Sequence, residues 1–317
     1  MIQVFQTDPK TLLTSEIPAE IGGMDLTGKW VHLTNPTDRE LELISRATGV
    51  DDDMLKAALD EEERAHIDSE DGNALVLMDI PTIEDEDSYY SYSTMPFGFI
   101  ITKTCAVTVC LKETAIVHNF LTGRVKGFST AMRTRFLFQV LYHTHVKFLQ
   151  YLRQIDKASS RIQNELHKST KNKELIQLLD LEKSLVYFST SLRSNHLIIE
   201  KLMRGEFVKK YEEDLDLLED VQVENRQAIE MCDIYSDILS STMDAYASVI
   251  SNNLNIVMKL LTSVTVLLSI PTLIASFWGM NTGVPFGGKI WGFWVVFLIS
   301  LVLTGGVGVY LWKKKLL

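Results

Sequence analysis

The chain has 317 residues, 46% hydrophobic and 23% charged, with 31 basic against 41 acidic side chains and a net charge of −10. That balance excludes a general nucleic-acid binder, which needs a basic face to displace phosphate counterions. Three cysteines exclude a disulfide framework, and the length allows more than one domain. The average hides an uneven distribution. No Asp or Glu follows Asp244, and residues 257–317 carry only Lys259, Lys289, Lys313, Lys314 and Lys315 as charged groups. The first 256 residues therefore hold 26 basic and 41 acidic side chains, a net of −15.

Residues 1–10 have no apolar core of the signal-peptide type. Apolar and β-branched runs at residues 2–5, 30–33, 74–80, 89–95, 97–102 and 106–111 predict strands. Asn35-Pro36-Thr37-Asp38 opens a helix through about Ala47, and Asp51, Asp52 and Asp53 supply carboxylates for the start of another through Leu59. The mixture predicts a compact α/β domain over residues 1–126 without fixing its strand order. From residue 127 the pattern is helical. Residues 132–168 and 175–203 predict two helices separated by the polar stretch 169–173, an antiparallel hairpin within a 127–205 segment that Gly205 ends. A third helix starts in Glu212-Glu213-Asp214 and meets no Pro or Gly before Pro271. Ile229, Cys232, Leu239, Met243, Tyr246, Ile250 and Val257 fall near one seam of it at steps of 3 and 4 or their sums, as in a coiled coil. The expected helix is about 65 residues, or about 100 Å, long. Its 206–256 part reads as a stalk.

Residues 257–278 are apolar apart from Lys259, and residues 290–312 carry no charge. Each is about 22 residues, roughly 33 Å of helix, enough to cross a hydrocarbon core of about 30 Å. Core helices of a soluble domain reach that length too. The missing carboxylates, together with Trp278, Trp291, Trp294 and Trp312, favour membrane spans. The Gly-rich connection 279–289 then faces outward. Lys313, Lys314 and Lys315 past the second span place that end in the cytoplasm, and two spans return the amino-terminal part to the same side.

The first span carries a polar stripe. Ser251, Asn255, Met258, Thr262, Thr265, Ser269, Thr272 and Ser276 follow at spacings of 4, 3, 4, 3, 4, 3 and 4, which keeps them on one helix face with a drift of about 20° per heptad. Helix packing or back-bonding to an earlier carbonyl accounts for single hydroxyls. A stripe across the whole membrane also suits a water-filled path. Two spans cannot enclose one, so this reading requires a ring of subunits with the first span inside. Hydroxyl and amide oxygens in rings suit a hard cation that keeps much of its water. No P-loop and no arranged nucleophile and base are present, which argues against an ATP-driven pump or a hydrolase. The competing class is a membrane-tethered sensor or scaffold, whose Thr and Ser positions would tolerate Leu. His143 and His145 point to different faces of one helix and make a poor metal pair. Cys105 and Cys110 read as buried structural residues.

Gly279-Met280-Asn281 directly after a span, followed by a second span and three lysines, resembles the CorA family of divalent-cation channels. Asn255-Ile256-Val257-Met258-Lys259-Leu260-Leu261-Thr262 and Pro271-Thr272 are similar to that family's pore helix. Trp30-Val31-His32-Leu33 followed by a helix, the hairpin and the stalk extend the resemblance over nearly the whole chain. The resemblance implies an α/β cytoplasmic domain, a long helical stalk and two transmembrane helices in a funnel-shaped homopentamer of the cell membrane. It implies transport of Mg²⁺, with Co²⁺ or Ni²⁺, gated by cytoplasmic metal and without an organic cofactor; the partners are other copies of the chain, lipid and divalent cations.

Gly279, Met280 and Asn281 would form the outer selectivity mouth, Asn281 holding a hydrated ion. Asn255, Met258, Leu261, Ser269 and Thr272 would face the pore, with Leu261 and Met258 as an apolar constriction. Thr262, Thr265 and Ser276 complete the stripe. Asp244 would be a regulatory metal ligand, and Lys313, Lys314 and Lys315 a basic collar. Two places depart from the family. Residues 282–288 lack the acidic side chains usual there, and Leu55-Lys56-Ala57 stands where a Leu-Glu-Asp run would partner Asp244, leaving Asp53 or Asp60 to substitute. The Gly-Val-Pro of the outer loop is similar to the related ZntB zinc transporters, which makes zinc the alternative cargo.

Overall fold

The computed structural model describes residues 1–8, 13–17, 23–84, 91–166, 172–205, 207–209, 211–286 and 288–314. They divide into two compact units, Met1–Ser241 and Thr242–Leu317.

The first unit is built on a seven-stranded sheet. Strands β1 (Ile2–Thr7), β2 (Thr14–Ile17), β3 (Trp30–Thr34), β4 (His66–Glu70), β5 (Asn73–Ile83), β6 (Tyr92–Ile101) and β7 (Ala106–Cys110) lie in the order β2-β1-β3-β7-β6-β5-β4. All neighbours are antiparallel except β3 and β7. Alternation along each strand sends successive side chains to opposite faces, and helices cover both. Helices α1 (Asp38–Thr48) and α2 (Asp52–Lys56) close one face over Val31, Leu33, Val107 and Val109. Helices α3 (Ala115–Leu121), α4 (Arg133–Leu166) and α5 (Asn172–Arg204) belong to the other, where Trp30, Phe97, Phe99, Phe120 and Phe136 pack. Trp30 meets Phe5 and Phe136, each at a centroid distance of 4.9 Å.

Polar groups inside the sheet are chained together. Trp30 Nε1 donates to Thr108 Oγ1 at 2.7 Å, which lies 2.8 Å from His32 Nδ1, and His32 Nε2 lies 3.0 Å from Thr34 Oγ1. The buried imidazole is thus held between two hydroxyls, Thr108 Oγ1 and Thr34 Oγ1. Burial holds His32 down to about pKa 4.

Two expectations change in the sheet. The runs at 89–95 and 97–102 belong to one strand, β6, which passes straight through Pro96; residues 89 and 90 lie outside the described residues. Asn195 explains why Pro96 is tolerated. Its side-chain amide bonds both the N–H and the C=O of Asp79, at 2.9 and 2.8 Å, on the side of β5 that β4 leaves open. Those groups therefore point away from β6, where Pro96 is the partner of Asp79. The nitrogen of Pro96 faces the β7 side, and that ladder begins only at Phe97. The second change is two additional strands, β2 and β4, together with helix α3.

Helices α4 and α5 are antiparallel, as expected. Phe148 lies 5.0 Å from Phe188, and His145, nearer the start of α4, feels the charge of His196, nearer the end of α5. The next helix, α6 (Leu215–Trp278), is 64 residues long, about 96 Å at 1.5 Å per residue. Its buried seam begins earlier than the sequence pattern placed it: Leu218, Val221, Asn225, Ala228, Cys232 and Leu239, at steps of 3, 4, 3, 4 and 7. Asn225 sits within this seam because α5 supplies its partners, His196 Nδ1 at 2.9 Å and the Leu192 carbonyl at 3.1 Å. Cys232 Sγ bonds the Leu185 carbonyl at 3.3 Å. Through this stretch the heptad pattern records packing within one chain.

The second unit holds the remainder of α6 and a final helix, α7 (Ile290–Lys313). They run antiparallel, with Leu267 beside Gly308 and with Trp278 and Phe293 on one shared cavity. Both helices are long and apolar enough to cross a membrane, and almost none of either apolar stretch is buried. A soluble core helix would be covered. Leu261, Leu268, Phe277, Leu298 and Leu301 are all more than half exposed.

Candidate ion pathway

The stripe of α6 stays together on an exposed face. Asn255, Met258, Leu261, Thr262, Thr265, Ser269, Thr272 and Ser276 are all exposed within the chain. A shallow groove of about 650 Å³ runs beside Thr265, Ser269, Thr272 and Ser276. The opposite side of the helix turns toward α7, where Ile274 and Trp278 are half-buried. Ser263, which lies off the stripe, is buried at 3% exposure. Spacing distinguishes it: Ser263 falls one residue past Thr262, about 100° around the helix.

Three hydroxyls of the stripe are oriented. Thr265 Oγ1 donates to the Leu261 carbonyl at 2.8 Å, Ser269 Oγ to Val266 at 2.8 Å and Thr272 Oγ1 to Leu268 at 2.9 Å. Each hydroxyl has one proton and spends it on its own helix, so only acceptor lone pairs face away from the backbone. The waters around a cation point their hydrogens outward. Three outward acceptor oxygens in line therefore suit a hydrated cation.

At the end of the stripe, Gly279 N donates to the Ala275 carbonyl at 2.9 Å and Met280 N to Phe277 at 3.4 Å, so the Gly-Met-Asn motif closes the last turn of α6. Asn281 follows, exposed. The loop behind it is held by Trp278 Nε1, which donates to the Pro285 carbonyl at 3.2 Å, and by Phe286 against Trp291 at 5.1 Å. Gly292 makes this fold-back possible, because a Cβ there would stand 2.6 Å from the Phe286 carbonyl oxygen. Neither Ser263 nor Gly292 drew attention in the sequence; a Ser off the stripe and a Gly opening a helix carry no motif.

Asp244 is exposed, and its backbone carbonyl accepts from Ser248 Oγ at 3.1 Å. Among the described residues no group of three His, Cys, Asp or Glu side chains is placed to hold a metal. Lys56 lies 3.6 Å from Asp52, so positive charge occupies the place where a partner carboxylate was sought. Asp53 and Asp60 are exposed. Within one chain Asp244 belongs to no such group among the described residues. His143 and His145 diverge: His145 is fully enclosed with Nδ1 on the Leu141 carbonyl at 2.7 Å, and burial lowers it to about pKa 4. Burial pushes Cys110 and Cys232 up to about 12, which leaves both inert thiols. Lys313 and Lys314 close α7; Lys315 lies outside the described residues.

The family model described as CorA-like Mg2+ transporter protein matches residues 26–315. The chain belongs to the CorA family. A curated member, the cobalt/magnesium transport protein CorA of Methanocaldococcus jannaschii, is 25% identical over 306 residues, covering 93% of each chain. The solved structure of the complete CorA magnesium transporter from that organism superposes with a TM-score of 0.82 at 23% identity, over 99% of this chain and 98% of the other. The ZntB cytoplasmic domain from Vibrio parahaemolyticus shares the fold more loosely, with a TM-score of 0.61 at 11% identity over 79% of this chain and 98% of that domain. The CorA fold accounts for the α/β unit, the long helix and the two apolar helices together.

Proposed function

We propose that this CorA-family chain carries divalent cations, Mg²⁺ foremost and Co²⁺ or Ni²⁺ with it, through the cell membrane as a homopentamer. The oriented stripe carries the reading: hydroxyl protons turned inward leave a line of acceptor oxygens on a face that one chain does not cover. Five copies place that face around a common axis, with α7 toward lipid and both termini in the cytoplasm. Residues 1–126, 127–205 and 206–256 serve as the cytoplasmic body, hairpin and stalk, 257–278 and 290–312 as the spans, 279–289 as the outer loop and 313–317 as the basic tail.

In this arrangement Asn281, with Gly279 and Met280, meets the hydrated ion at the mouth. Mg²⁺ dehydrates reluctantly, so acceptors for its water hydrogens serve it better than direct ligands. Thr272, Ser269, Thr265, Thr262, Ser276 and Asn255 continue the acceptor line, and Leu261 with Met258 closes by dewetting. Asp244 contributes to metal-dependent gating, and Lys313, Lys314 and Lys315 form the collar.

Purified protein in liposomes tests the reading, with Mg²⁺, Co²⁺ and Zn²⁺ entry compared with and without a proton gradient. Mg²⁺ entry that needs no proton gradient is expected. Proton-coupled Zn²⁺ entry without Mg²⁺ flux would replace it with the ZntB-like reading. Full flux after Thr272→Leu would remove Thr272 from the ion pathway, and no entry of any of the three cations would leave the spans as a mere anchor.

A further inference from the structure

A cavity of about 380 Å³ lies in the first unit, where the turn between β6 and β7, the start of α4 and the segment leading into α6 come together. Its wall carries Lys103, Arg133, Arg135 and Lys209 against Glu213 and Asp214. That is an excess of two positive charges in a region of the chain whose net is −15. Asp214 is buried and committed to Arg135 at 2.9 Å, and the Arg133 guanidinium donates to the Thr102 carbonyl. Among the described residues, Lys103 and Lys209 have no carboxylate within ion-pair distance.

Both lysines are nevertheless placed. Gly72 has a φ of +84°, and a Cβ on it would come within 2.7 Å of Lys103 Cε, so the glycine lets the Lys103 stem cross the β4–β5 turn to the cavity. Lys209 lies 5.2 Å from the Tyr211 ring centroid, and Thr134 Oγ1 holds its carbonyl at 3.1 Å. With Arg135 taken by Asp214, three cations share the concavity with one remaining wall carboxylate, Glu213, and a bound anion would relieve their mutual repulsion. The start of the 34-residue helix α4 adds to the same positive field.

We propose that this cavity binds a small phosphate-bearing anion, with Lys103, Lys209 and Arg133 on its oxygens and the Arg135–Asp214 pair bracing the wall. The volume falls within the range of about 300–1,000 Å³ common to ligand sites, so a nucleotide fits as well as inorganic phosphate. Phe207 and Tyr211 offer aromatic surface to a base. Lys209 and Tyr211 belong to the segment that becomes α6, so an occupied site ties the start of that helix to α4 and to the sheet.

The test uses the full chain in detergent, titrated with orthophosphate, pyrophosphate or metal-free ATP and followed by calorimetry and thermal unfolding. Sodium chloride at matched ionic strength is the control. Saturable binding and a raised Tm are expected, both weakened at least about tenfold by Lys103→Glu with Lys209→Glu. The two lysines are exposed, so the double variant should keep its Tm without ligand, and that comparison separates lost binding from lost folding. Equal affinity for orthophosphate and ATP assigns the phosphate group alone, while tighter ATP binding assigns a nucleotide. Absence of binding to all three anions, a rise in Tm matched by chloride, or binding untouched in the double variant overturns the proposal. Because the readout is binding, the result is independent of which cation is transported.

Discussion

Within Met1–Ser241, polar side chains inside the protein mostly find partners in the same chain: Asn195 completes the open edge of β5, Asn225 bridges α5 and α6, and Thr108 relays between Trp30 and His32. Within Thr242–Leu317 both kinds of surface lie open. Large apolar side chains are exposed on α6 and α7, and the Thr265, Ser269 and Thr272 hydroxyls, satisfied against their own backbone, still offer lone pairs outward. The first unit carries the marks of a structure complete in itself. The second needs two further environments, one for its apolar surface and one for its oxygens, and the proposed lipid-embedded ring of subunits would supply both.

Substitutions in the stripe and at Asn281 beyond it should break the comparison most sharply, because they act on function without touching the packed unit. Asn281→Ala and Thr272→Leu should each lower Mg²⁺ flux into liposomes by more than about tenfold, a rise of roughly 1.4 kcal/mol or more in the barrier. The unfolding of the first unit should stay where it was. A loss of flux accompanied by collapse of the soluble part would instead make these residues structural. Trp30→Ala is the reverse experiment. Removing a ring that packs on Phe5, Phe120, Phe128 and Phe136 and donates to Thr108 should cost about 3–5 kcal/mol, read by denaturant unfolding.

Much of the second unit was legible in the sequence because membrane spans depend on composition and length, which are local properties. The stripe was legible for the same reason: a period of 3 and 4 is visible without knowing any partner. The sheet was legible only where strands are apolar. β2, with Thr14, Ser15 and Glu16, and β4, with Asp68, Ser69 and Glu70, are edge strands whose identity comes from pairing with β1 and β5. The seam of α6 was displaced for a related reason. Asn225 looks like a surface residue until His196 and Leu192 of α5 are seen to satisfy it. Orientation of the hydroxyls, the most informative property of the pathway, follows from side-chain rotamers and leaves no trace in spacing.

The two enclosed imidazoles sharpen the contrast through pH. Burial holds both His32 and His145 at about pKa 4, below the usual 6.5. The unfolded chain takes up protons below 6.5 while the folded one resists until about 4, so stability present above 6.5 is lost as pH falls through that window. Each site contributes up to about 3 kcal/mol by pH 4. Melting of the full chain between pH 7 and 4 should show this slope, and His145→Leu should remove about half of it while leaving the second unit's helicity unchanged.

Asp79 is one exception inside the first unit, and it should give the smallest effect, with the opposite sign. Asn195 takes its backbone N–H and C=O, while desolvation raises its carboxyl to about 6 from an ordinary 3.8, the nearby Ser191 hydroxyl only partly opposing the shift. Here the folded state holds the proton more tightly than the unfolded one. Stability therefore falls as pH rises from about 3.8 to 6, and the full penalty applies at neutral pH. Asp79→Asn removes the charge and keeps the shape, so it should stabilise the protein at pH 7 by on the order of 1–2 kcal/mol, allowing for water that reaches a half-buried carboxyl. The gain should shrink on acidification and vanish below about pH 4, where both forms are neutral. A gain that persists there would mean that the Asn amide makes a new bond, and a loss at pH 7 would mean that the charge of Asp79 is paired after all.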